Sequence, residues 1–326
     1  MASVREKLFE TDGIRGRFGF YPITENFAGV FGWAVGRLLG AGSEESVILV
    51  GRDTRISGST LESSLVKGLV ASGTSVDLLG ITSTPALAYS VKTFSAAGGV
   101  MISASHNLFQ DNGFKLFGKN GEKVSREIEI ALADSMGQQK GLVITKDSRA
   151  TVRYCSDWEA NYKDMCQAHS KDIEGLERLK IIVDCAHGSN YRVATSILKS
   201  CGLRVEQIGC EPNGYNINSS VGSTNPNSLR AAVIDSHAAI GVGFDGDGDR
   251  LVMVDERGEV LDGDDILFVL ANYYLSSNRK LGGVVGTSMT NLGLERSIIG
   301  LGLGFERAEV GDRFVMEKLN ERGWAL

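Results

Sequence analysis

The sequence lacks several features that would place the chain in a specialised class of protein. No stretch approaches the roughly 18 apolar residues of a membrane-spanning helix, and the first residues contain no apolar signal region. A basic excess is also missing, since the net charge is −6, which argues against a nucleic-acid-binding surface. We therefore expect a cytoplasmic protein with no membrane or nucleic-acid partner, although a local site can still attract a small anion.

Proline and cysteine are both scarce. There are 4 prolines against 41 glycines, a balance typical of α/β proteins with many tight turns between strands and helices. The cysteines are odd in number and include no C-x-x-C pair, which favours reduced, buried thiols over disulfides or a metal site. All of them lie in the middle third of the chain, at Cys155, Cys166, Cys185, Cys201 and Cys210.

Short apolar strands alternate with amphipathic helices along the whole chain. Its 326 residues are 42% apolar and 23% charged, which is ordinary for a globular protein of two or three domains. Apolar residues recur at helical spacing between Thr24, a predicted N-cap, and Gly40, a predicted stop. The succession of strand, polar turn and helix occurs three times, with turns after Val50, Val183 and Val285.

This alternation predicts three consecutive, similar α/β domains. We expect mixed, mostly parallel sheets flanked by helices, with an active-site cleft between the domains. The predicted boundaries are 1–148, 149–255 and 256–326, the last domain being short. Ligands of such sheets bind beyond the carboxyl ends of the strands, so polar residues that follow a strand are the first candidates for a site.

Two runs of polar residues follow predicted strands. Ser103–Asn107 places hydroxyl groups beside the imidazole of His106, and a serine there is a candidate nucleophile or phosphate carrier. Asp245, Asp247 and Asp249 alternate with glycine, and carboxylates this close repel one another unless a cation binds among them. Oxygen ligands suit Mg²⁺ or Ca²⁺. A metal beside a phosphorylatable serine suggests phosphoryl transfer.

The acidic run has two alternative interpretations. With Glu256, the three aspartates occupy positions 1, 3, 5 and 12 of an EF-hand loop. Position 6 of that loop needs glycine but is Arg250 here, and strands rather than helices are predicted on both sides. A purely structural acidic turn is the second alternative.

Two basic residues can be interpreted in more than one way. Arg15 lies between glycines that allow close approach of an anion, but a solvated loop arginine would look the same. Lys115 lies in a predicted apolar strand, either on the solvated face of an edge strand or as a functional amine near the serine.

Five motifs, taken in order, resemble those of the α-D-phosphohexomutases. The resemblance covers the whole chain, and five motifs in the family's order and spacing are highly specific. Thr290–Glu295 and Val310–Phe314 look most like the branch of this family that acts on glucosamine phosphate. The five motifs are Thr11–Gly16, Gly51–Arg55, Ser103–Asn107, Asp111–Lys115 and Asp245–Arg250.

The resemblance implies a role for each candidate residue. Ser105 would be the phosphoserine and a further metal ligand, and Asp245, Asp247 and Asp249 would hold one Mg²⁺ ion. Lys115 and His106 would be acid/base or orienting groups. The remaining residues would bind the phosphosugar, Arg15 and Arg250 at the reacting phosphoryl group and Thr11, Asp12, Asp312 and Arg313 elsewhere.

The reaction implied by the resemblance converts glucosamine 6-phosphate to glucosamine 1-phosphate, a precursor of UDP-N-acetylglucosamine. It would pass through a bound glucosamine 1,6-bisphosphate, which is also the expected activator. The alternatives are a phosphomannomutase/phosphoglucomutase, or a chain that binds Mg²⁺ or phosphosugar without turnover. A small phosphosugar is the expected partner, and a homodimer is left open.

The sequence departs from the family pattern in two places. Leu108 stands where the family usually has proline after Ser-His-Asn, which removes a restriction on φ but no reacting group. The family also continues past the position of Trp324 into a sugar-recognition loop and a fourth domain, and neither is present in these 326 residues. We expect their absence to cost rate as well as affinity.

Overall fold

The structure, a computed structural model, describes residues 8–9, 13–40, 46–138, 149–171, 173–277 and 279–326. The chain divides into two compact units, Met1–Gly258 and Glu259–Leu326. Both units are built from alternating strands and helices, as the sequence predicts. Within the described ranges, no helix is both long enough and apolar enough to cross a membrane.

A six-stranded mixed sheet organises the first part of the larger unit. Its strands are Ile14–Arg17 (β1), Val47–Arg52 (β2), Ser75–Ile81 (β3), Gly98–Ile102 (β4), Asp111–Gly118 (β5) and Val152–Tyr154 (β6). They lie in the order β1-β5-β4-β2-β3-β6. The four strands β4, β2, β3 and β6 are parallel, and β5 is antiparallel to both of its neighbours. The sheet is therefore parallel from β4 to β6 and antiparallel at its other edge, where β5 and β1 lie.

Helices cover both faces of this sheet. Alternate residues of β2 point to opposite faces, so Ile48 and Val50 join one apolar cluster and Leu49 joins another. The helices Glu25–Leu39 (α1), Gly58–Ala71 (α2) and Arg126–Gln138 (α4) contribute to the first cluster, and Thr84–Thr93 (α3) and Asp157–Ala168 (α5) contribute to the second. The predicted limits of α1 are confirmed, since Thr24 caps its start and Gly40 its end.

A second sheet occupies the rest of the larger unit. Its strands Lys180–Asp184 (β7), Arg204–Ile208 (β8), Ile240–Phe244 (β9) and Leu251–Asp255 (β10) lie in the order β10-β9-β7-β8. The pairs β7–β8 and β7–β9 are parallel, and β9–β10 is antiparallel. Two helices belong to this part, Val193–Ser200 (α6) and Asn227–Ser236 (α7).

The smaller unit repeats the strand–helix plan on a reduced scale. It contains Val260–Leu261 (β11), Gly263–Ser276 (α8), Gly283–Thr287 (β12), Leu292–Gly300 (α9), Gly304–Ala308 (β13) and Asp312–Arg322 (α10). β12 and β13 are parallel. The start of α8 is fixed by a capping box, in which Asp262 and Asp265 each accept a hydrogen bond from the other's backbone N–H.

Candidate active site

Ser105 lies at the carboxyl end of a parallel strand, where the sequence predicts a ligand site. It follows β4 in a loop, is fully buried and has a φ of 51°. This left-handed conformation is uncommon for serine and needs support from its surroundings. Part of the support is local: the Ser105 N–H donates to Ser103 Oγ at 2.9 Å, and the Ser103 hydroxyl donates to Asp53 Oδ2 at 2.7 Å.

Arg55 fixes the backbone of the loop that contains Ser105. Its side chain is buried and paired with Asp53, with 2.8 Å between Nε and Oδ2. The guanidinium then donates to backbone carbonyls along the loop, from Nη2 to Ser105 at 2.9 Å and Asn107 at 2.8 Å, and from Nη1 to Leu108 and to Asp111. Arginine suits this task because its donors form a rigid, planar fork. The loop is thus fixed at Leu108 by a hydrogen bond to its carbonyl, even though the family's proline is missing.

The second sheet's loops hold the same segment from the other side. Asn218 Nδ2 donates to the carbonyls of Ser105 and Asn107, at 2.9 Å in each case. Gly246 approaches so closely that a Cβ there would lie 2.7 Å from the Ser105 carbonyl oxygen. A side chain at position 246 would therefore push the metal-binding candidates away from the serine.

The three carboxylates predicted as metal ligands do come together. One oxygen from each of Asp245, Asp247 and Asp249 can be chosen so that all lie within 4.8 Å of one another. The Ser105 hydroxyl donates to Asp245 Oδ2 at 2.5 Å. Thr84, the first residue of α3, donates from its hydroxyl to Asp247 Oδ2 at 2.5 Å. The serine and the acidic run therefore form one site.

The electrostatics of this cluster favour a bound cation. Burial raises the pKa of Asp245 to about 7, and the negative charges of Asp247 and Asp249 act in the same direction. A divalent cation would relieve this repulsion, and carboxylate oxygens are the donors that hard cations prefer. The residues present thus fit a metal of the Mg²⁺ type. The EF-hand alternative is wrong, because the acidic run joins strands β9 and β10 rather than helices.

Lys115 is buried rather than solvated. It lies in β5, which is flanked by β1 and β4, and only 1% of the side chain is exposed. Its Nζ lies 2.7 Å from Asp247 Oδ2 and 2.5 Å from Asp249 Oδ2. A buried ammonium so close to two carboxylates makes the site partly neutral and places a proton donor next to it.

His106 lies among the basic groups of the site. Burial lowers the pKa of His106, and the positive charges of Arg250, Arg15 and Lys115 lower it further, while Asp247 opposes them. These effects favour the neutral form of the imidazole. Its Nδ1 is buried and has no hydrogen-bond partner within the described part of the chain. The backbone N–H of Arg250 donates to Asp245 Oδ1 at 3.2 Å.

The remaining predicted residues fall into two groups. Thr11 and Asp12 lie outside the described residues. Asp312 and Arg313 lie in the smaller unit, where they are the first two residues of α10. The structure therefore brings together the predicted residues of the larger unit, which are Arg15, Ser105, His106, Lys115, Asp245, Asp247, Asp249 and Arg250.

Sequence reasoning missed the residues that position Ser105. Arg55 and Asp53 belong to a motif that was noticed, but nothing in that motif indicates burial. Asn218 lies in a loop with several asparagines, and nothing in the sequence indicates which of them matters. Thr84 resembles an ordinary residue at a helix start, and Ser103 resembles an alternative nucleophile.

Three protein-family models match the chain, each for one domain. They are described as Phosphoglucomutase/phosphomannomutase alpha/beta/alpha domain I, at residues 6–143, domain II, at 154–258, and domain III, at 262–326. A curated relative, the phosphoglucosamine mutase of Aeromonas hydrophila subsp. hydrophila, is 46% identical over 320 residues, which is 98% of this chain and 72% of the relative. The chain thus spans about 72% of that relative's length.

Two solved structures illustrate the similarity of fold. A putative phosphomannomutase from Thermus thermophilus superimposes with a TM-score of 0.84 at 25% identity, covering 96% of this chain and 71% of that one. The N-acetylphosphoglucosamine mutase of Aspergillus fumigatus, solved in complex with GlcNAc-6P and magnesium, gives a TM-score of 0.59 at 17% identity, covering 95% and 64%. The second likeness concerns the fold alone.

Proposed function

Because the chain belongs to the phosphoglucomutase/phosphomannomutase family, we propose that it is a phosphoglucosamine mutase that works through a phosphoserine at Ser105. One observation carries the proposal: the Ser105 hydroxyl bonds to Asp245 at 2.5 Å inside the acidic cluster. The 46% identity to a phosphoglucosamine mutase supports the choice of sugar. The boundaries near residues 148 and 255 remain part of this proposal.

The proposed reaction has two phosphoryl transfers. Phosphorylated Ser105 gives its phosphoryl group to the free hydroxyl of glucosamine 6-phosphate or glucosamine 1-phosphate, which yields the 1,6-bisphosphate and a free serine. The bisphosphate then turns in the site and returns its other phosphoryl group to Ser105. The left-handed, hydrogen-bonded loop keeps the serine oxygen in one place for both transfers, which is the main requirement for a reaction governed by positioning.

Proton transfer falls to two residues. A neutral His106 can accept the proton of the attacking hydroxyl, because the surrounding positive charges disfavour its charged form only until a phosphate neutralises them. Lys115 can donate a proton to the departing serine oxygen and balance charge at Asp247 and Asp249. Arg15 and Arg250 add positive charge for the phosphoryl oxygens.

Asp245, Asp247 and Asp249 would hold Mg²⁺, with Ser105 as a further ligand in its phosphorylated form. When bound, the ion would neutralise negative charge that develops on the transferring group. Thr84 and Arg250 keep two of these carboxylates in position, through a hydroxyl and a backbone N–H respectively.

Substrate recognition involves residues outside this cluster. Thr11, Asp12, Asp312 and Arg313 are proposed to contact the phosphosugar, and glucosamine 1,6-bisphosphate to be the activator that charges Ser105. A small phosphosugar remains the proposed partner, in a cytoplasmic enzyme. The likeness to a putative phosphomannomutase is weaker, at 25% identity, so mannose and glucose phosphates are treated as competing substrates in the test.

Intact-mass spectrometry tests the proposal directly. The purified chain is incubated with Mg²⁺ and glucosamine 1,6-bisphosphate, and it should gain one phosphate that peptide mapping places on Ser105. Ser105→Ala should gain none, whereas Ser103→Ala should still gain the phosphate, although more slowly. An unmodified wild-type chain would contradict the proposed enzyme and favour a chain that binds without turnover. A coupled assay then compares sugars: faster turnover of mannose or glucose phosphate than of glucosamine phosphate would contradict the assignment of substrate.

A further inference from the structure

Two cysteines lie at the carboxyl ends of neighbouring strands in the second sheet. Cys185 directly follows β7, and Cys210 follows the neighbouring parallel strand β8. Both use the same carbonyl, that of Ile208: the Cys185 N–H donates to it at 3.2 Å and the Cys210 thiol at 3.3 Å. Cys210 also packs against the apolar cluster that contains Cys185, and each thiol shifts the pKa of the other.

The two thiols differ in their surroundings. Cys185 is completely buried, and its thiol also donates to the Asn190 carbonyl at 3.4 Å. Cys210 is partly exposed. The interaction with Cys185 lowers the pKa of Cys210, whereas the same interaction and burial raise the pKa of Cys185. Cys210 is therefore the thiol that an external reagent meets first and the better source of thiolate.

We propose that Cys185 and Cys210 form a reversible redox pair that low-molecular-weight disulfides oxidise to an internal disulfide. Cys210, as its thiolate, attacks one sulfur of the reagent, forming a mixed disulfide and releasing one thiolate. Cys185 loses its proton and attacks the Cys210 sulfur, so that the internal disulfide forms and the second thiolate leaves. The two released thiolates take up the two protons, and one disulfide is reduced for each one formed.

The same turn connects this pair to the site of Ser105. The Ala186 carbonyl accepts the Asn218 N–H at 2.8 Å, and the His187 carbonyl accepts the Thr54 hydroxyl at 2.6 Å. Gly188 lies so close to the acidic run that a Cβ would be 2.3 Å from the Gly246 carbonyl oxygen. A covalent bond brings two sulfurs closer than any non-bonded contact does, and the close approach at Gly188 would transmit the shift to the acidic run. Oxidation should therefore disturb the serine and the carboxylates together.

The chemical part of the proposal is tested without any enzyme activity. The reduced, full-length chain is incubated with oxidised glutathione and analysed by intact mass and by peptide mapping under non-reducing conditions. The wild type should lose the mass of two hydrogen atoms through a Cys185–Cys210 link, and dithiothreitol should restore it. Cys185→Ala, which keeps the buried position apolar, should stop at a glutathione adduct on Cys210.

Matched outcomes decide the assignment of roles. Cys210→Ser should leave Cys185 unmodified, because the buried thiol cannot reach the reagent. A wild-type chain in which Cys210 stays reduced, or in which it carries glutathione without proceeding to the Cys185 link, would overturn the proposal. Cys166 and Cys201, which also interact with each other, are the internal comparison, and a link there with none at Cys185–Cys210 would equally overturn it.

The effect on the site rests on the proposed function and has its own readout. Phosphorylation of Ser105 by glucosamine 1,6-bisphosphate should be several-fold slower after oxidation and recover on reduction, while in Cys210→Ser the oxidant should have no effect. An equal rate in the oxidised and reduced wild type would refute the coupling. Failure of Ser105 to gain phosphate in either state would count against the proposed function instead, since the mapping of the disulfide does not depend on it.

Discussion

Arg55 Nη2 donates to the carbonyl oxygen of Ser105 at 2.9 Å, and the same residue pairs with Asp53 at 2.8 Å. Ser105 is therefore held through its backbone, which leaves its hydroxyl free to donate to Asp245. A buried arginine with this many backbone acceptors acts on the conformation of the loop, so we expect Arg55 to be a positioning residue. We therefore expect a substitution of Arg55 to slow the reaction by displacing Ser105.

Arg55→Lys should slow the phosphorylation of Ser105 strongly. Lysine keeps the charge but cannot reach all the carbonyls, so buried acceptors lose their donors and the free energy of unfolding should fall by about 1–3 kcal/mol. A misplacement of the serine by about 1 Å would reduce the rate on the order of 100-fold. Rates come from time-resolved intact mass and stability from urea titration. Arg153→Lys is the control, since Arg153 also forms a bidentate pair, with Asp77, but is 70% exposed; similar rates for both variants would refute the positioning role.

Asn218→Asp should also impair the site. The aspartate has nearly the same shape and tolerates the left-handed φ of 59°, but it replaces a donor with an acceptor that faces the Ser105 and Asn107 carbonyls. We expect a loss of about 1–3 kcal/mol in stability and slower phosphorylation of Ser105. Asn216→Asp, in the same loop but bonded only to neighbouring loop residues, should change neither quantity. If Asn218→Asp has the stability and the phosphorylation rate of the wild type, Arg55 alone is sufficient to position Ser105.

Lys115→Met should reveal how far the lysine neutralises the acidic cluster. Removal of one partner of a buried ion pair leaves uncompensated charge, so the metal-free variant should lose about 3–5 kcal/mol of stability. Added MgCl₂ should restore more stability to this variant than to the wild type, because the cation neutralises the same carboxylates. Differential scanning calorimetry with and without MgCl₂ measures both effects. Lys67→Met, at an exposed position of α2, should respond like the wild type, and an equal Mg²⁺ shift in all three proteins would contradict the prediction.

The stability of the metal-free protein should fall as the pH rises through about 7. The pKa of Asp245 is raised from 3.8 to about 7, so the folded state binds a proton that the unfolded chain has released. This contribution is complete below about pH 4 and is lost as the pH rises through the folded pKa. Urea titrations in EDTA between pH 5 and pH 8 measure the slope.

The matched variant for this experiment is Asp245→Asn, which cannot titrate at this position. Its slope should be shallower than that of the wild type but not zero, because burial also raises the pKa of Asp53 and Asp184. In the wild type, saturating Mg²⁺ should remove most of the fall in stability between pH 5 and pH 8, since the metal binds the ionised form of the carboxylate. Parallel slopes for the two metal-free proteins would show that Asp245 is ionised throughout.

The fold and the position of each polar run could be predicted from the sequence for a physical reason. Apolar strands followed by polar turns imply a parallel sheet, whose ligands bind beyond the carboxyl ends of the strands. Ser105 and Asp245 each follow such a strand, but β4 and β9 lie in different sheets, so the chemistry of the two runs and the family resemblance, not the strand pattern, predicted that they meet. The limits of α1 could be predicted as well, because Thr24 and Gly40 act on adjacent backbone only.

The residues that position Ser105 could not be predicted in the same way. Arg55 is buried because a loop some fifty positions later in the chain presents carbonyls that need donors, as the 50-residue separation from Ser105 shows. No local pattern carries that information. Lys115 gave an ambiguous signal for a similar reason: alternation identifies a strand, but only the sheet order shows that β5 is flanked on both sides.

Among the described residues, those whose hydrogen bonds hold the Ser105 loop belong to the unit Met1–Gly258. Substitutions in Glu259–Leu326 therefore remove none of these hydrogen-bond partners. In evolution, the smaller unit can therefore change its sequence without cost to the loop around Ser105. For the engineer, the smaller unit is the part to exchange first, because the partners of that loop stay in place.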